Sequence, residues 1–297
     1  MADAGSLPSV HDRAGEALAC ADLDEKVALV GRLRLSWEAG ELGRGAADPV
    51  VPVEQPGRPA RPTLVGPREL RPRKLTTREG RIAAVHAVAH IEANAVNLAL
   101  DAVHRFGSAD DAPLPDAYVS DWLSVAEDEG RHFVVLRDRL RSLGADYGDL
   151  PAHDGLWAAA VRTADDPLRR MALVPRVLEA RGLDVSPGMI ERFDAVGDTP
   201  SADALRMILA EEVGHVAIGS RWFRWMCAQR GLEPDGTFRV LLDEAGVRVV
   251  PPLNTEARLA AGFGAEELDA LLGARQGAHP GAHPERVGGD GRGVPSR

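Results

Sequence analysis

Two short stretches pair a glutamate with a histidine one helical turn later: Glu129 and His132 in "EDEGRHF", and Glu212 and His215 in "EEVGH". Imidazole nitrogen and carboxylate oxygen are donors that iron and manganese take from proteins. On a helix, residues three apart project from one face, so each pair can offer an oxygen and a nitrogen to a common point. One such pair alone is a weak signal, because the same spacing serves surface ion pairs. The surroundings set these two apart. Trp122, Val125, Ala126, Phe133, Leu136 and Leu140 share the first pair's helical face, and Leu205, Ile208, Val216, Gly219, Trp222, Phe223 and Met226 share the second's. Both pairs therefore stand in the middle of an apolar stripe, the side a helix turns to the core.

Two further glutamates occupy the same kind of position. Glu92 interrupts Val85, Val88, Ala89, Val96, Ala99 and Val103, and Glu179 interrupts Leu168, Met171, Ala172, Pro175, Leu178 and Gly182. Burying even one unpaired carboxylate costs several kcal/mol, so four of them must take up protons or meet cations. Two divalent metals cancel the charge of four carboxylates and leave both histidines as neutral ligands. One Glu from each of two helices, with Glu-x-x-His from each of two others, is a dinuclear arrangement built in four-helix bundles. The expected ligands are Glu92, Glu129, His132, Glu179, Glu212 and His215, holding two metal ions, iron first and manganese as the alternative.

The elements that must position them follow from periodicity and punctuation. Helices are expected from about 78 to 106, ended by Gly107, and from about 115 to 143, ended by Gly144. A third opens at Asp165-Asp166-Pro167, an acidic cap before a first-turn proline, and stops at Gly182. A fourth runs from about 201 to 229, before Gly231. A shorter helix is expected near 156–163. The fold class is all-α: a four-helix bundle over residues 76–232, preceded by residues 1–75, which hold an N-terminal helix (14–38) and a Pro/Arg-rich arm. A C-terminal extension (233–272) and a tail (273–297), expected to be disordered, follow. Val247 to Val250 has the composition of a short strand, curtailed by Pro251-Pro252.

Several residues near the pairs raise narrower questions. Mid-helix glycine costs about 1 kcal/mol against alanine, so Gly130 and Gly214 suggest close helix approach or a local π-bulge. Pro175 should kink the third helix. His86, His90, Asn94, Asn97 and Asp101 form a second, polar stripe, and His90 lies roughly 160° around the helix from Glu92. A hydrogen-bonding role between elements, rather than a ligand role, is expected for His90, and a structural hydrogen bond for His153. Glu127, Asp128 and Glu211 are expected on solvated faces or behind the ligands. His279 and His283 in the tail are expected to be solvated.

Composition excludes other classes. With 297 residues and 44% hydrophobic content the chain can bury a core. No apolar run nears the roughly 18 residues of a membrane span, and the N-terminus lacks a secretory pattern. Cys20 and Cys227 make a poor disulfide framework, which fits a cytoplasmic location. The net charge of −10 is concentrated after residue 80, which argues against duplex nucleic acid as a partner. Arg58, Arg61, Arg68, Arg71, Arg73, Lys74, Arg78 and Arg81 make the arm and the start of the bundle basic. Wrapping an acidic bundle is the expected use, and a phosphate or nucleic-acid contact the other.

The order Glu, Glu-x-x-His, Glu, Glu-x-x-His resembles the ferritin-like superfamily. "HAVAHIEANAVNLALDAVHRF", "YGDLPAHDGLW", "MALVPRVLEARGLDVSP", "GHVAIGSRWF" and "NTEARLAAGF" resemble an uncharacterised bacterial ferritin-like family, domain of unknown function 455, over most of residues 16–270. The resemblance implies a ferritin-like bundle with the same six ligands. It carries no assigned reaction. A neighbouring ferritin-like family hydroxylates a modified tRNA base, so a tRNA substrate stays open. The function expected is an O2-dependent di-iron oxidase or hydroxylase acting on an unidentified substrate. The alternatives are an iron-handling ferroxidase and a helical interaction protein with a redundant metal site.

Overall fold

A computed structural model describes residues 7–45, 51–70, 73–106 and 114–273. The tail with His279 and His283, the loop after Phe106, and Arg71 lie outside the described residues.

Among the described residues every regular element is helical. The single helix expected over 14–38 is two, α1 (Val10–Ala19) and α2 (Leu23–Glu38). Cys20 is extended, and Asp22 restarts the helix by accepting from the Glu25 N–H at 3.0 Å, a cap that apolar periodicity alone does not reveal. The long helices are α3 (Arg78–Phe106) and α4 (Asp116–Ser142), with the short α5 (Gly155–Arg162) after them.

The third expected helix is built differently from its reading. α6 (Pro167–Leu173) starts at the Asp166 cap, passes into a π-helical segment (Val174–Glu179), and continues as α7 (Ala180–Ala195). Pro175 has no N–H to donate, and the wider π turn takes it in. Gly182 does not stop the helix, because Leu183, Ile190 and Phe193 beyond it are buried, and packing overrides local propensity. α8 (Thr199–Gln229) follows at once, capped by Asp198. The extension forms α9 (Pro234–Glu244), α10 (Thr255–Ala260) and α11 (Ala265–Gly273). Residues 247–250 form no strand, having no neighbouring strand with which to pair.

α3 lies along α4, α7 along α8, and α4 meets α8. α1 covers α3, α2 covers α4, α9 packs on α6 and α8, and α10 on α7 and α8. The apolar interior is two clusters. One gathers Val96, Leu100, Tyr118, Trp122, Val216 and Phe223; the other gathers Val85, Ala89, Phe133, Leu140, Leu205 and Ile208. Along α3, α4 and α8 the change from one cluster to the other falls at the layer of Glu92, Glu129–His132 and Glu212–His215.

The arm is stitched to the bundle. Leu64 and Ala152 form a parallel bridge. Arg58 pairs with Asp154, and Arg61 with Asp149 at 3.2 Å. The Trp157 indole donates to the Glu54 carbonyl at 3.0 Å. Gly57 runs so close to the α1–α2 junction that a Cβ there would sit 2.1 Å from the Ala19 carbonyl oxygen. Gly57→Ala is expected to lower stability by about 1–3 kcal/mol, the usual cost of overpacking. Urea unfolding checks this, and an unchanged midpoint would show that the arm shifts freely.

Candidate metal centre

Three helices and the π segment carry the candidate ligands. α3 brings Glu92, α4 brings Glu129 and His132, α8 brings Glu212 and His215, and the π segment ends at Glu179. One donor atom each from Glu92, Glu129, His132 and Glu212 lies within 4.8 Å of all the others. His132 Nδ1 is 3.2 Å from Glu92 Oε2, 3.4 Å from Glu129 Oε2 and 3.8 Å from Glu212 Oε1. His215 Nδ1 is 3.1 Å from Glu129 Oε1 and 3.5 Å from Glu212 Oε1. Glu129 is thus central, one oxygen towards each imidazole. Glu179 is set apart from these close distances but interacts electrostatically with Glu212, Glu129 and His215.

The donor set fits a divalent cation. Glu129 is 1% exposed and His132 is fully buried. Both Glu129 oxygens, Glu179 Oε2 and His215 Nδ1 are buried without a hydrogen-bond partner. Leaving such atoms unpaired is costly, and a proton, a water or a cation relieves it; a cation reaches all of these at once. Their contacts with one another are close but misaligned, as for ligand atoms directed at a shared ion.

Outside the cluster, each imidazole is held by an acid from the opposite helix. His132 donates from Nε2 to Glu211 Oε2 of α8 at 2.6 Å, and His215 Nε2 lies 3.4 Å from Asp128 Oδ2 of α4. Arg131 donates to both acids, at 2.8 Å to Asp128 and 2.7 Å to Glu211. A carboxylate on Nε2 fixes the proton there and leaves the Nδ1 lone pair for the cluster. The signal is in the sequence: an acid directly precedes each Glu-x-x-His. Glu127, by contrast, pairs with Arg34 of α2.

Charge is shared unevenly. Burial and the Glu129 charge push Glu92 well above the ordinary carboxyl range. Burial, then Glu212 and Glu129, push Glu179 up to about 8. Burial works against ionisation of Glu129 too, but His132 and His215 overcome it and hold Glu129 low. Burial opposes the charged form of His132, yet Glu129 and Glu92 raise it to about 10. His215 is likewise raised, against burial, by Asp128, Glu129 and Glu212. Without metal, Glu92, Glu179 and both histidines bind protons more tightly when folded than when unfolded. The stability these four groups contribute to the metal-free protein is therefore fully present below their unfolded pKa values and is lost as pH rises from about 4.5 towards 10, through about 8 for Glu179 and about 10 for His132. Metal binding displaces those protons, so metal affinity rises over the same window. Urea titrations at several pH values, with and without chelator, are expected to show the slope only in the metal-free protein.

The histidines on the second stripe of α3 serve other contacts. His90 Nδ1 meets the Tyr147 hydroxyl at 2.8 Å and His90 Nε2 lies 3.1 Å from the His153 carbonyl. His86 accepts from the Gly148 N–H at 3.0 Å, and His153 Nδ1 from the Gly155 N–H at 3.1 Å. Gly130 does face a close neighbour, since a Cβ there would lie 3.3 Å from Val27 of α2. Gly214 has nothing within 4 Å, and neither glycine sits in a π-bulge. The glycine that matters to the π segment is Gly219, where a Cβ would come within 2.3 Å of Pro175.

Comparison with known proteins agrees on one point. The family model described as "Protein of unknown function (DUF455)" matches residues 19–269. An "Uncharacterized protein" of Haemophilus influenzae is 44% identical over 221 residues, 73% of this chain and 77% of that protein. No solved structure matches significantly.

Proposed function

This chain belongs to the DUF455 family of proteins of unknown function, and on that footing we propose that it is a ferritin-like dinuclear metal protein, an O2-dependent oxidase or hydroxylase with iron as its metal. The observation that carries the reading is Glu129, buried with both oxygens unpartnered and one directed towards each of His132 and His215. α3, α4, α6 to α7, and α8 supply the four helices of the bundle, and Glu92, Glu129, His132, Glu179, Glu212 and His215 supply the ligands. Iron held by such a set supplies redox chemistry towards O2.

The chain's own residues do the rest. Glu211 and Asp128 orient the imidazoles. Trp122 and Val216 on one side, with Phe133 and Ile208 on the other, keep bulk water from the layer. Glu179 ends a π turn and, unlike Glu92, Glu129 and Glu212, makes no close contact with either imidazole, so it is the ligand with most room to change position. A ferroxidase, with Fe(II) as substrate, is the alternative. The outer faces of the bundle are occupied by α1, α2, α9 and α10, which favours a substrate-handling protein over a cage subunit. Arg58 and Arg61 are already paired with aspartates, which weakens the arm as a tRNA surface.

The test is to load the protein with Fe(II) under anaerobic conditions and then admit O2. O2 uptake with new near-ultraviolet absorbance from oxidised iron is expected. Full loading with no uptake would remove the oxidase reading, and a large assembly that accumulates mineral would favour the ferroxidase.

A further inference from the structure

We infer that the cavity between the arm and the outer face of α3 is a binding site for a small organic monoanion, a carboxylate with a compact apolar body. The cavity has a volume of about 310 Å³, the size of a modest small-molecule site. On α3 it is lined by His90, Asn94 and Asn97, on the side of the helix away from Glu92. It is therefore separate from the metal centre, and the inference does not rest on the proposed function.

Two features meet here: the polar stripe of α3 and the basic arm. The stripe is buried although polar, and it is held in place. Asn94 donates to the His90 carbonyl at 2.8 Å, and Tyr147 and the His153 carbonyl fix the His90 ring. Arg58 lines the cavity and spends one nitrogen on Asp154 and Asn94, while its Nε is buried with no partner. Behind Asn97 lies Lys26, 1% exposed. Its ammonium donates only to neutral oxygens, Gly57 O at 2.9 Å and Asn97 Oδ1 at 2.5 Å. Burial pushes it down to about 8, the behaviour of a buried amine without an anionic partner.

The charge balance selects the ligand class. Arg58 and Lys26 are two cations, Asp154 is one carboxylate, and burial lowers the His90 pKa so that the ring is neutral. Arg61 and Asp149 cancel each other nearby. One positive charge is left over, which a single anionic group balances. The remaining wall, with Leu23, Pro59, Pro62 and Leu64, is apolar and suits a hydrocarbon body.

Calorimetric titration of the full chain, as purified, with hexanoate tests this. Saturable binding at one site is expected, with hexanamide and inorganic phosphate each at least about tenfold weaker, since a tenfold ratio corresponds to loss of one modest interaction. Arg58→Gln should weaken hexanoate by a similar factor. Because Arg58 also ties down the arm, Ala60→Trp is the second variant: Ala60 is an exposed residue lining the cavity, and an indole there should block it. Binding should persist in Glu129→Gln. No saturable hexanoate binding, equal affinity for hexanamide or phosphate, undiminished affinity in Ala60→Trp, or loss in a folded Glu129→Gln would each overturn the assignment.

Discussion

Glu129→Gln is expected to abolish stoichiometric metal binding while the helices remain folded. Glutamine keeps the shape of the side chain but removes the charge and makes one of its two terminal atoms a donor. Glu129 reaches His215 at 3.1 Å with one oxygen and His132 at 3.4 Å with the other. No other candidate approaches both imidazoles with two separate oxygens, so its loss affects every part of the cluster. Removing a group that merely orients a metal ligand typically costs about 10–100-fold in affinity; losing this carboxylate should cost more than about 100-fold. Glu211→Gln, which keeps the cluster and changes only the acid behind His132, should fall in the lower range. Metal titration of both variants, with far-ultraviolet circular dichroism as the check on folding, separates them. Equal affinities would show that Glu129 is an ordinary buried ion-pair partner.

Glu267→Ala should be the most destabilising single change in the extension, by about 3–5 kcal/mol, the range for stranding one member of a buried ion pair. Arg176 is 1% exposed and donates to both Glu267 oxygens, at 2.5 and 2.8 Å. Phe223, Phe238 and Phe263 surround its guanidinium at 4.6, 4.3 and 4.6 Å from the ring centres. Those faces favour a cation but cannot replace the carboxylate. Replacing both partners together, as Arg176→Met with Glu267→Leu, should cost much less, because neither charge is then left in the interior. Arg176 stands in the π segment three residues before Glu179, so the single variant should also weaken metal binding through Glu179. Urea unfolding of the chelator-treated protein gives the first effect and metal titration the second. A loss below about 1 kcal/mol would mean that the pair opens to water.

The parts of this structure legible in the sequence are those set by spacing along one helix. Glu92, Glu129, His132, Glu212 and His215 interrupt apolar stripes, and the structure draws these five together at distances of a few ångströms. Glu179 was legible by the same rule, but its setting was not. Pro175 announces a break, yet the choice of a π turn depends on what lies opposite, and that is Gly219, 44 positions later on α8. The division at Cys20 to Asp22 depends on an acidic cap and on Gly57 of the arm packing against it. The cluster around Arg176 was invisible because its members, Phe223, Phe238, Phe263 and Glu267, come from four separate segments. Nothing in the neighbourhood of Arg176 marks it as buried. Asp128 and Glu211 lie between these cases: adjacent to the pairs in sequence, but with partners that only the crossing of α4 and α8 assigns.

The most direct test of the central claim is metal content. The full chain would be reconstituted anaerobically with Fe(II) near pH 7.5, desalted, and analysed for iron per chain by inductively coupled plasma spectrometry. The predicted result is two retained ions per folded chain, lost in Glu129→Gln. A folded wild-type chain that retains one ion or none, with manganese as well as iron, would contradict it.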